Sequence, residues 1–116
     1  PRELVEARER AVALSAAVGS GAFLIDDYWN TYRFAALLSA EQLIPLPREG
    51  EMNRFPWVPR RLPRARAVLL CTSSLVGEEP PRRLLQYGVA LVRTDPEPRV
   101  IAGRTYAVYQ PDATEQ

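Results

Sequence analysis

One stretch of helical periodicity opens the chain, and the strongly apolar runs that follow it are all short. Within residues 2–18 the apolar positions recur at spacings of three and four: Leu4, Ala7, Ala11, Leu14 and Val18. This spacing predicts an amphipathic helix that ends at the glycines around Ser20. One face of that helix must be buried against elements built from the short runs that follow.

Short apolar runs bounded by glycine, proline or aspartate are typical of strands. The sequence predicts strands at residues 22–25, 43–46, 65–72, 89–93 and 104–110, further helices at residues 28–38 and 80–88, and a turn at residues 95–98. Pro45 cannot donate to a ladder, which favours an edge position for the second strand. The run at residues 67–71 is the most apolar, and we expect it at the centre of the sheet.

This order of elements predicts an α/β fold. We expect a small three-layer sandwich with a mostly parallel sheet of about five strands and an antiparallel hairpin at its edge. A chain of 116 residues suffices for one core, so residues 1–116 are expected to form a single domain. The sequence opens at Pro1, and its only methionine is Met52, so we expect a piece of a longer protein.

The composition excludes several chemistries. The basic residues are all arginine, histidine and lysine are absent, and Cys71 is the only cysteine. Catalysis by histidine, histidine metal sites, Schiff-base lysines, a phosphate-binding P-loop and an internal disulfide are therefore excluded. No glycine spacing fits a dinucleotide site, and we expect no cofactor, no metal and no catalytic residue in this chain. The net charge of +1 provides no overall attraction to nucleic acid.

Two carboxylates and a group of aromatic residues follow the first predicted strand. Asp26 and Asp27 fit the cap of the next helix, but they also fall where open α/β sheets place ligand crevices. Tyr28 and Tyr32 share one face of that predicted helix, and Arg33 is adjacent. The predicted ligand-binding residues in this region are Asp27, Tyr28, Tyr32 and Arg33, while Trp29 and Phe34 fit a core position as well.

A loop rich in proline and arginine follows the second predicted strand, at residues 47–63. Its prolines are expected to prevent helix formation. Six arginines occupy residues 48–66, with Phe55 and Trp57 between them. Such a segment is typical of a solvated surface loop, and it also fits the binding of phosphate groups or single-stranded nucleic acid. Asn53 and Arg54 are the residues of this loop that we predict to bind a ligand.

Two stretches of the sequence show a resemblance to a known family. The first stretch is residues 26–34 with residues 38–44, and it contains the triplet Asp27-Tyr28-Trp29 and the pair Tyr32-Arg33. The second stretch is residues 53–57, Asn-Arg-Phe-Pro-Trp. The pattern is similar to the tails of bacterial integral-membrane proteins that resemble dolichyl-phosphate-mannose protein mannosyltransferases and related lipid-linked-sugar glycosyltransferases. Phe55 stands where the family has tyrosine, and residues 47–52 are an insertion relative to the pattern.

This resemblance implies a non-catalytic accessory domain on the extracytoplasmic side of a membrane glycosyltransferase. Its partners would be the membrane-embedded part of its own parent chain and a glycan, acceptor or lipid-linked sugar, with no nucleic acid. Two alternatives from other classes stay open: a small soluble α/β enzyme that uses Asp26 or Asp27 on an anionic substrate, and a nucleic-acid module built on the arginine loop.

Overall fold

A computed structural model describes residues 2–19, 22–25, 43–46, 58–72 and 79–113. The first helix, α1, spans Arg2–Val18, as the apolar spacing predicted. Ala11 and Leu14 are fully buried on its inner face. Val5 and Val12 are exposed on its outer face. The helix predicted over residues 28–38 lies outside the described residues.

Three strands that follow α1 are parallel to one another. They are β1, Ala22–Ile25, β2, Leu43–Leu46, and β3, Val68–Cys71. β1 lies between the other two, with Ile25 opposite Leu46 on one side and opposite Leu70 on the other. The strands predicted at residues 22–25 and 43–46 are confirmed, and the one predicted at residues 65–72 is present as the shorter β3. Within the described part of the chain, β2 is the outermost strand on its side.

A short helical segment precedes β3. It consists of α2, Val58–Arg61, and a 3₁₀ turn, Leu62–Arg64. The prediction that prolines prevent a helix throughout residues 47–63 is therefore wrong for the end of that loop. Pro59 and Pro63 stand in the first turns of these two short elements, where the missing N–H has no partner to lose.

The C-terminal part of the chain is an antiparallel meander. Its strands are β4, Arg83–Gln86, β5, Val89–Arg93, β6, Arg99–Ile101, and β7, Arg104–Pro111. Tyr87 and Gly88 connect β4 to β5, and Ala102 and Gly103 connect β6 to β7; all four have positive φ angles. That conformation matches the twist of two-residue hairpins, so each turn fixes the register of its hairpin.

The predicted α/β fold with a mostly parallel sheet is wrong. The seven strands of the described residues form one mixed sheet in the order β2-β1-β3-β7-β5-β4, with β6 also beside β7. Two of its strand pairings are parallel and four are antiparallel. The predicted edge hairpin is also wrong, because β7 is an interior strand between β3 and β5. The chain is mostly β structure with one long helix in its described part.

Two local predictions in the meander fail. Residues 80–88 do not form a helix: the proline start and glycine end that suggested one belong to β4 and its turn. Residues 95–98 do not reverse the chain, because β5 and β6 both pair with β7 on the side away from β3. Residues 94–98 instead link β5 to β6 along the same side of β7, and Thr94 N donates to Val108 O at 2.9 Å.

Side chains alternate between two core clusters, one on each face of the sheet. The first cluster packs α1 against the sheet through Leu14, Leu24, Leu69 and Tyr106, and it includes Cys71. The second cluster lies on the opposite face and contains Phe23, Leu62, Val68, Tyr87, Val89, Leu91, Ala107 and Tyr109. Leu62 is fully buried, so the 3₁₀ turn is held against this second face.

Candidate functional site

The six residues predicted to bind a ligand lie outside the described part of the chain. They are Asp27, Tyr28, Tyr32, Arg33, Asn53 and Arg54. Asp26, the other candidate of the alternative enzyme, lies outside it as well. These assignments therefore stay predictions.

The ends of β1 and β2 show where the two segments with the predicted ligand-binding residues begin. β1 ends at Ile25, β2 ends at Leu46, and these two residues are register partners in a parallel pair. Asp26 and Pro47 are the next residues in the sequence, so both segments start from the same edge of the sheet. The carboxyl ends of parallel strands are the usual place for ligand crevices in open sheets.

The described residues line a pocket at the other end of the parallel strands. Its described lining, which we call the arginine pocket, consists of Phe23, Arg60, Arg61, Arg64 and Arg66. The pocket encloses about 510 Å³, within the roughly 300–1,000 Å³ of ordinary ligand sites. Arg66 precedes β3 and Phe23 is the second residue of β1, so the pocket lies near the amino ends of these strands.

Local structure positions the arginines around this pocket. The buried Leu62 anchors the 3₁₀ turn, and its carbonyl oxygen accepts a hydrogen bond from Ala65 N at 3.0 Å. Arg60, Arg61 and Arg64 flank this anchor and are exposed. Arg60 and Arg61 end α2 and Arg64 ends the 3₁₀ turn, so all three project from a short helical segment that Leu62 anchors in the core.

Arg66 reaches the pocket from the start of β3. Its guanidinium lies beside Gly19, where a Cβ would be 3.6 Å from Arg66 Nη1. The neighbouring strands are joined at this point, because Phe23 N donates to Ala67 O at 3.0 Å. Phe23 is only 2% exposed, so it contributes an apolar base to a pocket whose other described lining residues are cationic.

The electrostatics of the arginine pocket are one-sided. Its described lining contains four arginines and no carboxylate. In the part of the chain that the structure describes, the ion pairs include Arg2 with Glu6, Arg83 with Asp112, and Arg99 with Asp95. Arg60, Arg64 and Arg66 take part in none of these. The described lining therefore carries positive charge, which favours the approach of an anion.

Sequence reasoning identified part of this pocket and missed the rest. Residues 48–66 were recognised as a basic segment, but Arg54 was preferred to the four arginines that line the pocket. Phe23 was interpreted only as part of a buried strand. The sequence does contain a signal for this pocket. Arg60, Arg64 and Arg66 surround Leu62, a single apolar residue that can anchor a turn and so bring the three arginines together.

Among the described residues, Tyr109 in β7 has a shifted pKa. Burial raises the pKa of Tyr109 above its ordinary value of 10.0, and Arg93 partly opposes this effect. The hydroxyl of Tyr109 donates a hydrogen bond to Pro81 O, and Arg93 Nη1 donates to Pro80 O at 2.8 Å. These contacts fasten the segment before β4 to β5 and β7, which is a structural role.

Two further properties of the described residues bear on function. No helix among them is both long enough and apolar enough to span a membrane. They contain no group of three or more histidine, cysteine, aspartate or glutamate side chains placed to hold a metal ion.

No family model, curated protein or solved structure matches the chain. The resemblance stated from the sequence therefore stays a prediction.

Proposed function

We propose that this chain is a non-catalytic accessory domain of a glycosyltransferase-like membrane protein, where it binds an anionic group of the glycan or acceptor. The observation that carries the binding role is the arginine pocket, with four cationic side chains around a buried aromatic ring. Guanidinium groups are suited to this task because they stay charged and present several donors in a fixed plane.

The chemistry of the pocket favours binding over catalysis. Arginine does not lose its proton at physiological pH, so it cannot serve as a general base, and phenylalanine has no reactive group. The described lining contains neither a nucleophile nor a carboxylate. Arginines can still hold a charged group in place. An accessory domain that positions a ligand for a catalytic site elsewhere fits this set of residues.

The resemblance supplies the proposed context. The similarity of residues 26–34, 38–44 and 53–57 to the tails of membrane glycosyltransferases is the basis for proposing that the domain lies on the extracytoplasmic side of a membrane. Tyr28, Tyr32 and Arg33, together with Asn53 and Arg54, are proposed to contact the glycan or the parent's membrane core. The shared edge after Ile25 and Leu46 supports this grouping, since both segments start there.

The binding role is tested by titrating the 116-residue chain with neutral oligosaccharides, carboxylated oligosaccharides and sugar phosphates while tryptophan fluorescence is recorded. We expect an anionic ligand to bind and Arg64→Gln to weaken that binding. Arg2→Gln is the matched control, because it removes the same charge from an exposed side chain at the far end of α1. If no compound in the panel binds at millimolar concentration, the binding role is wrong.

The context is tested separately on the native gene product. Its mass and its partition between membrane and soluble fractions are measured with an antibody raised against this domain. We expect a much larger protein in the membrane fraction. A product close to 13.0 kDa in the soluble fraction would contradict the accessory role, and Asp26 and Asp27 would then become the first residues to test for chemistry.

A further inference from the structure

We infer that the arginine pocket is a phosphate site, and that its ligand carries a phosphate monoester or a diphosphate group. This inference rests on the proposed function, since it names the chemical class of the anion that the pocket binds. It depends only on described residues: Phe23 and the four arginines Arg60, Arg61, Arg64 and Arg66.

The first argument is the amount of positive charge. Four guanidinium groups line one pocket of about 510 Å³. Like charges at this density repel one another, and the cost grows where the surroundings are partly apolar. A carboxylate neutralises one positive charge, whereas a phosphate monoester near pH 7 carries almost two and a diphosphate carries more. The more highly charged anion therefore matches the pocket better.

The second argument is that three of the four arginines, Arg60, Arg64 and Arg66, have no ion pair within the described residues. Among the described residues, carboxylates pair with Arg2, Arg83 and Arg99, which lie outside the pocket. Arg60, Arg64 and Arg66 form no ion pair with any described carboxylate. Surface arginines that only increase solubility are commonly interspersed with acidic residues. A pocket whose described lining holds four arginines and no acidic residue is instead typical of an anion site.

The third argument is geometry. A guanidinium presents parallel N–H groups that match two oxygens of one phosphate, so arginine is preferred for bidentate phosphate recognition. Here the backbone that carries Arg64 and the guanidinium of Arg66 each have a defined position. Arg64 ends a turn that is anchored by the buried Leu62, and Arg66 lies against Gly19. Both line the same pocket from different elements, which suits an anion with several equivalent oxygens.

The test uses isothermal titration calorimetry of the 116-residue chain with inorganic pyrophosphate, inorganic phosphate and acetate at low ionic strength. We expect pyrophosphate to bind most tightly and acetate least. Arg64→Gln and Arg66→Gln should each weaken pyrophosphate binding about tenfold, as expected for the loss of a charge-assisted hydrogen bond. The control Arg2→Gln should leave affinity unchanged. Thermal unfolding of each variant shows whether it is folded.

Acetate that binds as tightly as pyrophosphate would overturn the phosphate assignment, and so would unchanged pyrophosphate affinity in the folded double variant Arg64→Gln/Arg66→Gln. If carboxylated oligosaccharides bind through Arg64 while pyrophosphate does not bind, the proposed function stands and this inference fails. If no anion binds, both fail.

Two further arms identify the source of the phosphate. Vesicles of phosphatidylcholine with phosphatidic acid are compared with pure phosphatidylcholine, and a soluble sugar phosphate is titrated in parallel. Binding that depends on Arg66 supports a lipid headgroup in the first arm and a soluble phosphate ester in the second. A single-stranded oligonucleotide that binds more tightly than both, with steep salt dependence, would overturn the assignment in favour of nucleic acid.

Discussion

The two halves of the sheet reach their strand order by different routes. In the parallel half, long segments at residues 26–42 and 47–67 join β1, β2 and β3. In the antiparallel half, turns of two residues join β4 to β5 and β6 to β7. Parallel strands require crossovers, whereas antiparallel strands can be joined by tight turns. The candidate functional residues belong to the crossovers and their ends, while the meander is specified by local turn chemistry.

This difference indicates that the antiparallel half mainly provides stabilising contacts, whereas the parallel half provides the candidate binding residues. The meander carries the Tyr109 and Arg93 contacts with Pro81 and Pro80, which hold β4 in place. The parallel half carries Phe23 and Arg66 of the arginine pocket. β3 joins the halves, because it pairs with β1 in parallel and with β7 in antiparallel orientation. Substitutions should therefore affect stability from either half but anion binding only from the parallel one.

The largest effect is expected where the halves meet. Leu69 in β3 is fully buried in the first core cluster. Leu69→Ala should lower the free energy of unfolding by about 2–5 kcal/mol, because it removes buried apolar surface and leaves a cavity. Urea denaturation followed by circular dichroism measures this change. The matched control is Leu85→Ala in β4, which is 67% exposed and should change stability by less than about 0.5 kcal/mol.

The next effect tests how the meander holds β4. Tyr109→Phe removes the hydroxyl that donates to Pro81 O, and it should destabilise the fold by about 1–2 kcal/mol. Burial raises the pKa of Tyr109, so the folded state holds the phenolic proton more tightly than the unfolded state. This contribution is fully present below pH 10.0 and is lost as pH rises through the raised pKa.

Comparing the two proteins across alkaline pH isolates this contribution. The stability advantage of the unsubstituted chain over Tyr109→Phe should shrink as pH rises above 10.0. Urea titrations at several pH values provide the measurement. An advantage that stays constant over this range would mean that the buried hydroxyl does not titrate differently in the folded state.

A smaller effect tests whether turn chemistry fixes the meander. Gly103 has a φ of +79°, and no heavy atom lies within 4 Å of the position a Cβ would occupy. Gly103→Ala should therefore cost about 1 kcal/mol through the backbone alone. Ala102→Asn should be neutral or stabilising, because an Asn-Gly pair favours this turn. Thermal unfolding distinguishes the two, and equal destabilisation by both would contradict a two-residue turn with positive φ angles.

The smallest effect concerns an ion pair that joins the ends of the meander. Arg83 Nη2 lies 2.7 Å from Asp112 Oδ2, and the Asp112 side chain is 12% exposed. Asp112→Asn should cost less than about 1 kcal/mol, and less still at high salt. Glu6→Gln in α1 is the control, since the Arg2–Glu6 pair is more exposed. Thermal unfolding at low and high ionic strength checks both, and a larger loss from Glu6→Gln would contradict this ranking.

Local pattern was sufficient for α1, β1, β2, β5 and β7. The 3.6-residue spacing around Leu14 and the two-residue alternation around Tyr106 each fit one structure only. Local pattern failed for β4, because the pair Leu84 and Leu85 fits a helix and a strand equally well. What decides for the strand is distant in sequence: Tyr109 and Arg93 hold the backbone before it.

The mostly parallel sheet was a wrong prediction for a related reason. The strand at residues 104–110 was recognised, but its partners were not, since sequence alternation carries no information about which edges meet. The link at residues 95–98 resembled a chain reversal because aspartate and proline are common in tight turns. The arginine pocket was hidden in the same way, as Phe23 and Arg66 come together only through the pairing of β1 with β3.

Cys71 gives this molecule an internal reporter of opening. It is the only thiol in the sequence and is 1% exposed, in the strand that joins the two halves of the sheet. A thiol reagent can reach it only when the structure opens around the end of β3, so the rate of labelling measures how often that opening happens. The sequence also contains no lysine, so reagents for side-chain amines find no target in it. One cysteine-specific dye therefore marks a single known position, and no engineered site is needed.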